Sequence, residues 1–263
     1  MNPQNMIKDN VRKKILNQIK TAEKEHGVRV LYAIESGSRA WGFESPDSDY
    51  DVRFIYAHPK NWYVAVDLEE KRDVIEYNIV DEIDISGWDV RKALKLLWKS
   101  NPAIVEWLQS PIVYIDNNHF AAEMRKLLDN IYSVEKGIYH YRSMAKSNYR
   151  GYLKTPSVPI KKYFYVLRPL LSIRWLEKYN EPAPIVFDQL RTLVVDNTVL
   201  YDEISKLLKL KKVSKEKDVA PAIPVFNEFI ESELNKLESY GEKPKEQGAD
   251  FGSINALFRK IVG

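Results

Sequence analysis

From Glu35 to Tyr56 the chain reads Glu-Ser-Gly-Ser-Arg-Ala-Trp-Gly-Phe-Glu-Ser-Pro-Asp-Ser-Asp-Tyr-Asp-Val-Arg-Phe-Ile-Tyr, the stretch that most narrows what it can fold into. An apolar run, Val28 to Ile34, precedes it and reads as a buried strand, so Ser36-Gly37-Ser38 falls where a strand gives way to a turn. Backbone N–H groups in such a turn can converge on a phosphate, because no Cβ blocks its approach at the glycine. Thirteen positions after Ser36 comes Asp49-Tyr50-Asp51, leading into Val52-Arg53-Phe54-Ile55-Tyr56. In a strand alternate side chains share a face, which puts Asp49, Asp51 and Arg53 on one side and Tyr50, Val52, Phe54 and Tyr56 on the other.

Two carboxylates about 6 to 7 Å apart on one strand face are poorly placed for burial and well placed to hold hard divalent cations. Mg²⁺ keeps most of its waters and takes one or two carboxylates plus substrate phosphates. The Gly-Ser turn followed by an Asp-x-Asp strand resembles the signature of the DNA polymerase β nucleotidyltransferase superfamily. More narrowly, Gly-Ser-Arg-Ala-Trp-Gly with Ser-Pro-Asp-Ser-Asp-Tyr-Asp-Val-Arg is similar to the bacterial and phage nucleotidyltransferases associated with RNA ligases. A bland reading, a solvated acidic loop beside an ordinary turn, fits either feature alone. It does not fit both in order with strand-like flanks.

The chain has 263 residues, enough for one large domain or two ordinary ones. It has no cysteine, which excludes disulfides and thiolate metal sites, and its four histidines show no ligand spacing, so zinc is not expected. No run of eighteen apolar residues and no signal-peptide pattern is present, so a membrane span is not expected and the cytoplasm is the default compartment. The net charge of +3 hides an asymmetry: residues 1–125 hold 17 Lys and Arg against 20 Asp and Glu, while residues 133–178 hold ten against two. A basic patch so local speaks to a partner.

Taken in order, Val11 to Glu25 is a predicted helix with Gly27 as its stop, and the first strand then enters the signature. Trp62 to Val66 is either a short strand or a helical turn. Arg72 to Val80 reads as strand, continued or repeated at Ile83-Asp84-Ile85. Ser86-Gly87-Trp88-Asp89 has capping-box spacing and predicts a helix from there to Trp98, broken by Asn101-Pro102. A short helix over 103–109 and an edge strand over 112–115 close the first domain. From Asn117 on the pattern is helical, with breaks at Pro156 and Pro159, 180–184, 211–218 and 240–248, and the charged run Lys211 to Lys217 reads as a solvated loop. Trp41, Trp88, Trp98 and Trp107 are assigned to core packing.

Phosphoryl transfer assisted by two metals needs acidic groups to hold both ions, and the resemblance to polymerase-β-like enzymes implies a third carboxylate on a neighbouring strand. Glu76, Asp81, Glu82 and Asp84 are the candidates, and Asp84 is preferred because it interrupts an apolar run near a strand end. Asp84 to Lys92 also looks like the family's second block. Within it Asp89 reads as a helix cap, while Arg91 and Lys92 are open between solvated helix face and phosphate contact.

The ten basic residues between Ser133 and Lys178 are interleaved with Tyr139, Tyr141, Tyr149, Tyr152, Tyr163, Phe164, Tyr165 and Trp175. Cations that follow phosphates and rings that stack on bases suit a nucleotide or single-stranded nucleic acid. Lys146, Arg150 and Lys154 share one predicted helical stripe; Lys161, Tyr165, Arg168 and Ser172 share another, on a helix that Pro169 should bend. Lys162 to Leu171 is similar to the helix that lines the nucleotide cleft in this family.

The resemblance covers most of the chain and implies an α+β protein. A polymerase-β-like nucleotidyltransferase domain over 1–116, a mixed sheet with flanking helices, is followed by an all-helical domain over 117–263 that closes the nucleotide cleft. It implies transfer of a nucleoside monophosphate from a nucleoside triphosphate to an acceptor hydroxyl, with release of pyrophosphate. Two Mg²⁺ ions are the implied cofactor, with Mn²⁺ as the substitute, held by Asp49, Asp51 and Asp84 as the catalytic residues. Gly37, Ser38, Arg39, Arg53, Lys162, Tyr165 and Arg168 form the implied nucleotide-binding set. RNA, through residues 133–178, is the expected acceptor, and an RNA ligase the expected functional partner. The rivals are a protein or small-molecule acceptor, and a non-catalytic nucleotide- or RNA-binding module. The nucleobase is left open.

Overall fold

The computed structural model describes residues 6–240 and 251–263. In order the chain forms α1 (Asp9–His26), β1 (Arg29–Glu35), α2 (Gly37–Trp41), β2 (Tyr50–Ala57), α3 (Lys60–Tyr63), β3 (Val74–Glu76), β4 (Ile83–Asp89), α4 (Val90–Trp98), α5 (Pro102–Gln109) and β5 (Val113–Asp116). There follow α6 (Phe120–Ile131), α7 (Val134–Tyr152), β6 (Ser157–Pro159), α8 (Ile160–Tyr179), α9 (Phe187–Leu190), α10 (Thr198–Val213), β7 (Val219–Pro221), α11 (Pro224–Lys236) and α12 (Gly252–Val262). The class is α+β, as expected. Among the described residues no helix is long and apolar enough to cross a membrane.

Among the described residues two compact units emerge, one of 6–40, 49–132 and 251–263, the other of 41–48 and 133–240. The first holds a sheet in the order β3-β4-β2-β1-β5, with β2 and β4 parallel and the other neighbours antiparallel. Both faces are covered, which is why β1 carries an unbroken apolar run: only Arg29, at its start, is exposed. On one face α1 lays Ile15, Ile19 and Ala22 against Val30, Val52, Phe54 and Ile85. On the other, α4, α5, α6 and α12 bury Leu94, Leu108, Met124 and Leu257 with Leu31, Ile34 and Ile55.

Several expected boundaries move. Ser86 cannot begin a helix, because its backbone stands in β4 between Arg53 of β2 and Glu76 of β3; the helix starts at Val90, capped by the Asp89 carboxylate accepting from Arg91 N–H at 2.7 Å. The strand expected over 72–80 shortens to Val74–Glu76, with one further bridge between Val80 and Ile83. Residues 60–63 form a helical turn rather than a strand. The helices after Asn117 do not stay together either: α6 buries Phe120, Ala121, Met124 and Leu128 on the sheet, and α12 adds Ile254 and Leu257 to the same core. Most of the break expected at 240–248 lies outside the described residues.

The second unit is mainly helical but contains a short ladder, β6 with β7, that the sequence pattern did not signal. Its largest departure from expectation is at Lys211. Far from solvated, Lys211 is 1% exposed, and its Nζ donates to Ser45 Oγ at 2.7 Å and to Glu216 Oε1 at 2.6 Å. The same Glu216 oxygen accepts from Ser48 Oγ at 2.8 Å, its other oxygen pairs with Lys161 at 2.9 Å, and its N–H donates to the Asp47 carboxylate at 3.1 Å. Phe43 stacks on Phe164 with ring centroids 4.3 Å apart. The middle of the signature, 41–48, is thereby built into the helical unit by a buried ionic cluster and an aromatic contact.

Candidate active site

At the end of β1 the chain turns through Ser36 into the five-residue helix α2, with Gly37 at φ +59°, a left-handed value that favours glycine. Space demands glycine as well: a Cβ built there would lie 1.9 Å from Asp51 Oδ2. The turn is thus pressed against the carboxylate of β2, and Ser36 N–H donates to the Asp51 carbonyl at 2.8 Å. Ser38 and Arg39 follow on α2, half-buried, with the Arg39 guanidinium 4.1 Å from the centre of the Tyr50 ring.

Because β2 and β4 run parallel in register, Asp51 stands opposite Asp84. The Arg53 guanidinium joins them: Nη2 donates to Asp51 Oδ1 at 3.1 Å and to Asp84 Oδ2 at 2.7 Å, while Nη1 donates to the carbonyls of Val52 and Asp84. Asp51 and Asp84 side chains are 29% and 31% exposed, open enough to meet a ligand and already arranged about one cationic group. Asp49 is exposed and directly precedes β2. Among the described residues there is no group of three His, Cys, Asp or Glu side chains that could hold a metal ion; the shared contacts to Arg53 bring Asp51 and Asp84 together. An all-oxygen pair still fits Mg²⁺, which takes one or two carboxylates and completes its shell with water and phosphate.

The remaining third-carboxylate candidates are engaged elsewhere or strained. Asp81 pairs with Lys14 at 2.7 Å, Glu76 pairs with Arg72, and Glu82 has φ +62°. Asp89, Arg91 and Lys92 gather at the opposite end of β4. There Asp89 caps α4 and accepts from Tyr63 OH at 2.7 Å, Arg91 pairs with Glu69 at 2.7 Å and Lys92 with Asp73 at 2.8 Å. Burial pushes the Asp89 carboxyl up, against hydrogen bonds that pull it down.

On α8 of the helical unit, Lys162 Nζ lies 3.8 Å over the Tyr152 ring and 4.7 Å over that of Tyr165. Arg168 is buried, with its guanidinium 4.1 Å from the centre of the Trp41 ring, and Trp41 meets Tyr165 edge-on. The three expected residues of this helix therefore share one cation and aromatic array. The stripe on α7 is less open than its spacing suggests. Lys154 falls beyond the helix end and pairs with Glu231 at 3.0 Å, and Lys146 lies 3.8 Å from Glu238. Of the four tryptophans, Trp107 is buried with Trp88 stacked on it at 3.9 Å, Trp98 packs partly buried against the same core, and Trp41 is half-buried.

Sequence reasoning passes over Glu35. It is fully buried, and burial pushes its carboxyl up to about 7, opposed by donation from the Tyr114 hydroxyl. The signal available was a charged residue closing an apolar strand immediately before the glycine turn.

The family model of the RNA repair pathway DNA polymerase beta family matches residues 11–260. A protein of Bacillus subtilis (strain 168), the uncharacterized protein YcgL, is 44% identical over 253 residues, 96% of each chain. The crystal structure of a nucleotidyltransferase-like protein from Exiguobacterium sibiricum 255-15 is matched over 92% of this chain and 78% of its own at 14% identity, with a TM-score of 0.36.

Proposed function

The chain belongs to the RNA repair pathway DNA polymerase beta family, and from that membership we propose that it is a metal-dependent nucleotidyltransferase. It moves a nucleoside monophosphate from a nucleoside triphosphate to the terminal hydroxyl of an RNA and releases pyrophosphate. The observation that carries this reading is the register of β2 with β4, which sets the Asp51 and Asp84 carboxylates about one cationic group beside a turn stripped of its Cβ.

Asp51 and Asp84, joined by Asp49, would hold the divalent cations, Mg²⁺ in the first instance. When bound, these supply charge neutralisation along the triphosphate and lower the pKa of the attacking hydroxyl. The backbone of Gly37 and the hydroxyl of Ser38 receive the outer phosphates, and the guanidinium of Arg53 sits where it can share the developing negative charge. The Asp84 carboxylate takes the acceptor's proton as the new phosphodiester forms. Contacts from Arg39, Lys162, Tyr165 and Arg168 to the nucleotide belong to the same proposal.

A second reading keeps the chemistry and exchanges RNA for a protein or small-molecule hydroxyl. The pairing of Lys146 and Lys154 with glutamates favours it, since it trims the cationic stripe that RNA would follow. Incubation with α-labelled triphosphate, Mg²⁺ and RNA should put label on the RNA with matching pyrophosphate release, and γ-labelled triphosphate should put none there. Label arriving from the γ position, or none from either, contradicts the proposal.

A further inference from the structure

Asp51 stands where a ladder ends. The pairing of β1 with β2 closes at Glu35 opposite Val52, and the chain then turns away through Gly37. Ser36 N–H still reaches the Asp51 carbonyl at 2.8 Å. In a continuing antiparallel ladder the Asp51 N–H would return the bond to a backbone carbonyl. Instead it donates to a side chain, Glu35 Oε1, at 3.1 Å.

Glu35 is fixed through both its side chain and its backbone. Glu35 Oε2 accepts from Tyr114 OH at 2.6 Å, the Glu35 carbonyl accepts from Ser110 Oγ at 2.6 Å, and its N–H donates to the Ile112 carbonyl at 3.0 Å. The Arg39 Nε lies 3.8 Å from Oε1, so the same carboxylate faces the helix that carries the phosphate turn. A solvent-free carboxylate is costly to bury, and a core position needing only bulk would be filled by an apolar residue.

We propose that Glu35 is a positioning residue: it replaces the missing strand at Asp51, fixes the backbone from which that carboxylate reaches for metal, and ties it to the phosphate-binding turn. The role rests on the reading of Asp51 as a metal ligand. It acts through Asp51 and touches no reacting atom.

The test uses the full chain and two readouts. One is amide hydrogen exchange at Asp51 in the metal-free protein, and the other is Mn²⁺ affinity in the presence of a non-hydrolysable nucleoside triphosphate. Glu35→Ala should speed Asp51 exchange at least about tenfold and weaken Mn²⁺ binding at least about tenfold, as losses of groups that orient metal ligands do. Glu35→Gln keeps the Oε1 acceptor and should stay within about threefold of wild type in both. Should the alanine variant fail to fold, Tyr114→Phe, which removes only the bond steadying Glu35, should weaken Mn²⁺ binding about threefold. A folded Glu35→Ala protein with unchanged Asp51 exchange or unchanged Mn²⁺ affinity overturns the inference, as does an unchanged Tyr114→Phe when the alanine variant is unfolded. Asp51→Asn separates the two readings. If it binds Mn²⁺ as wild type does, the metal reading itself fails; if it loses Mn²⁺ while Glu35→Ala retains it, only the role of Glu35 falls.

Discussion

Adding a single methyl group at residue 37, Gly37→Ala, strikes the site at its tightest contact. Backbone conformation comes first: φ at +59° is unfavourable for alanine, costing about 1 to 2 kcal/mol of stability. Contact comes second. The new Cβ would sit 1.9 Å from Asp51 Oδ2, so the carboxylate must retreat by about 1.5 Å to reach an ordinary contact of 3.4 Å. A misplacement of about 1 Å in catalytic geometry costs on the order of 100-fold in rate, equivalent to about 2.7 kcal/mol on the barrier. Any such shift also disturbs the hydrogen bond that Asp51 Oδ1 accepts from Arg53 Nη2 at 3.1 Å. Single-turnover transfer from an α-labelled triphosphate, read beside a thermal melt, measures both effects. The expected result is a folded protein, modestly less stable, that transfers at least about 100-fold more slowly. A variant that melts with wild type and transfers within about threefold would refute the close approach of turn to carboxylate.

Lys211→Met should destabilise the helical unit by about 3 kcal/mol, the low end for breaking a buried pair, because Lys161 and two serine hydroxyls still serve Glu216; denaturant unfolding that stays within about 0.5 kcal/mol of wild type would deny the cluster its role. Burial works to raise the Glu216 carboxyl, but donation from Lys211, Lys161 and Ser48 outweighs it and holds the group down at about 2, so its contribution is present above pH 4.5, is lost as pH falls toward 2, and should shrink in Lys211→Met. His58 is lowered to about 4 by burial, with smaller effects from His26 and Lys71. The unfolded chain takes up this proton from about pH 6.5 downward and the fold resists it until about 4, so His58 removes stability across that window; Glu35, raised to about 7, works the other way, and the difference between wild type and His58→Phe isolates the histidine. Identical pH profiles for the two proteins would show that the imidazole titrates as it does in the unfolded chain. For the acceptor, Arg150→Ala should flatten the dependence of log RNA affinity on log salt by about 0.7, one single-strand phosphate contact. An unchanged slope removes α7 from the RNA path.

What the sequence made legible and what it hid follow from the range of the interactions. An apolar run such as Val28 to Ile34 announces a strand buried on both faces, and alternation after Asp49 announces the next, because both signals are local. Gly37 and Asp51 are readable as partners only through family likeness; their contact depends on how β1 leaves the sheet, which no spacing encodes. The cap at Asp89 is legible as a cap, yet the helix start is displaced from Ser86, since pairing on both sides of β4 holds that residue extended. Lys211 defeats composition altogether. Its charged neighbours read as solvent-facing, and although its counter-ion Glu216 is only five residues on, Ser45, which also receives a hydrogen bond from the buried ammonium, is 166 residues away in sequence. The same distance in sequence hides the fact that residues 41–48, central to the motif, fold with the helices.

The central claim is that Asp51 and Asp84 together run metal-dependent nucleotidyl transfer. Its most direct test is transfer of α-labelled nucleotide to RNA in Mg²⁺ by wild type, Asp51→Asn and Asp84→Asn, each checked by thermal melt. Both carboxylates are partly exposed and share one guanidinium, so each substitution should leave the fold intact. The account predicts labelled RNA from wild type and a loss of at least about 100-fold in each variant. A folded variant of either kind that transfers within about tenfold of wild type contradicts it.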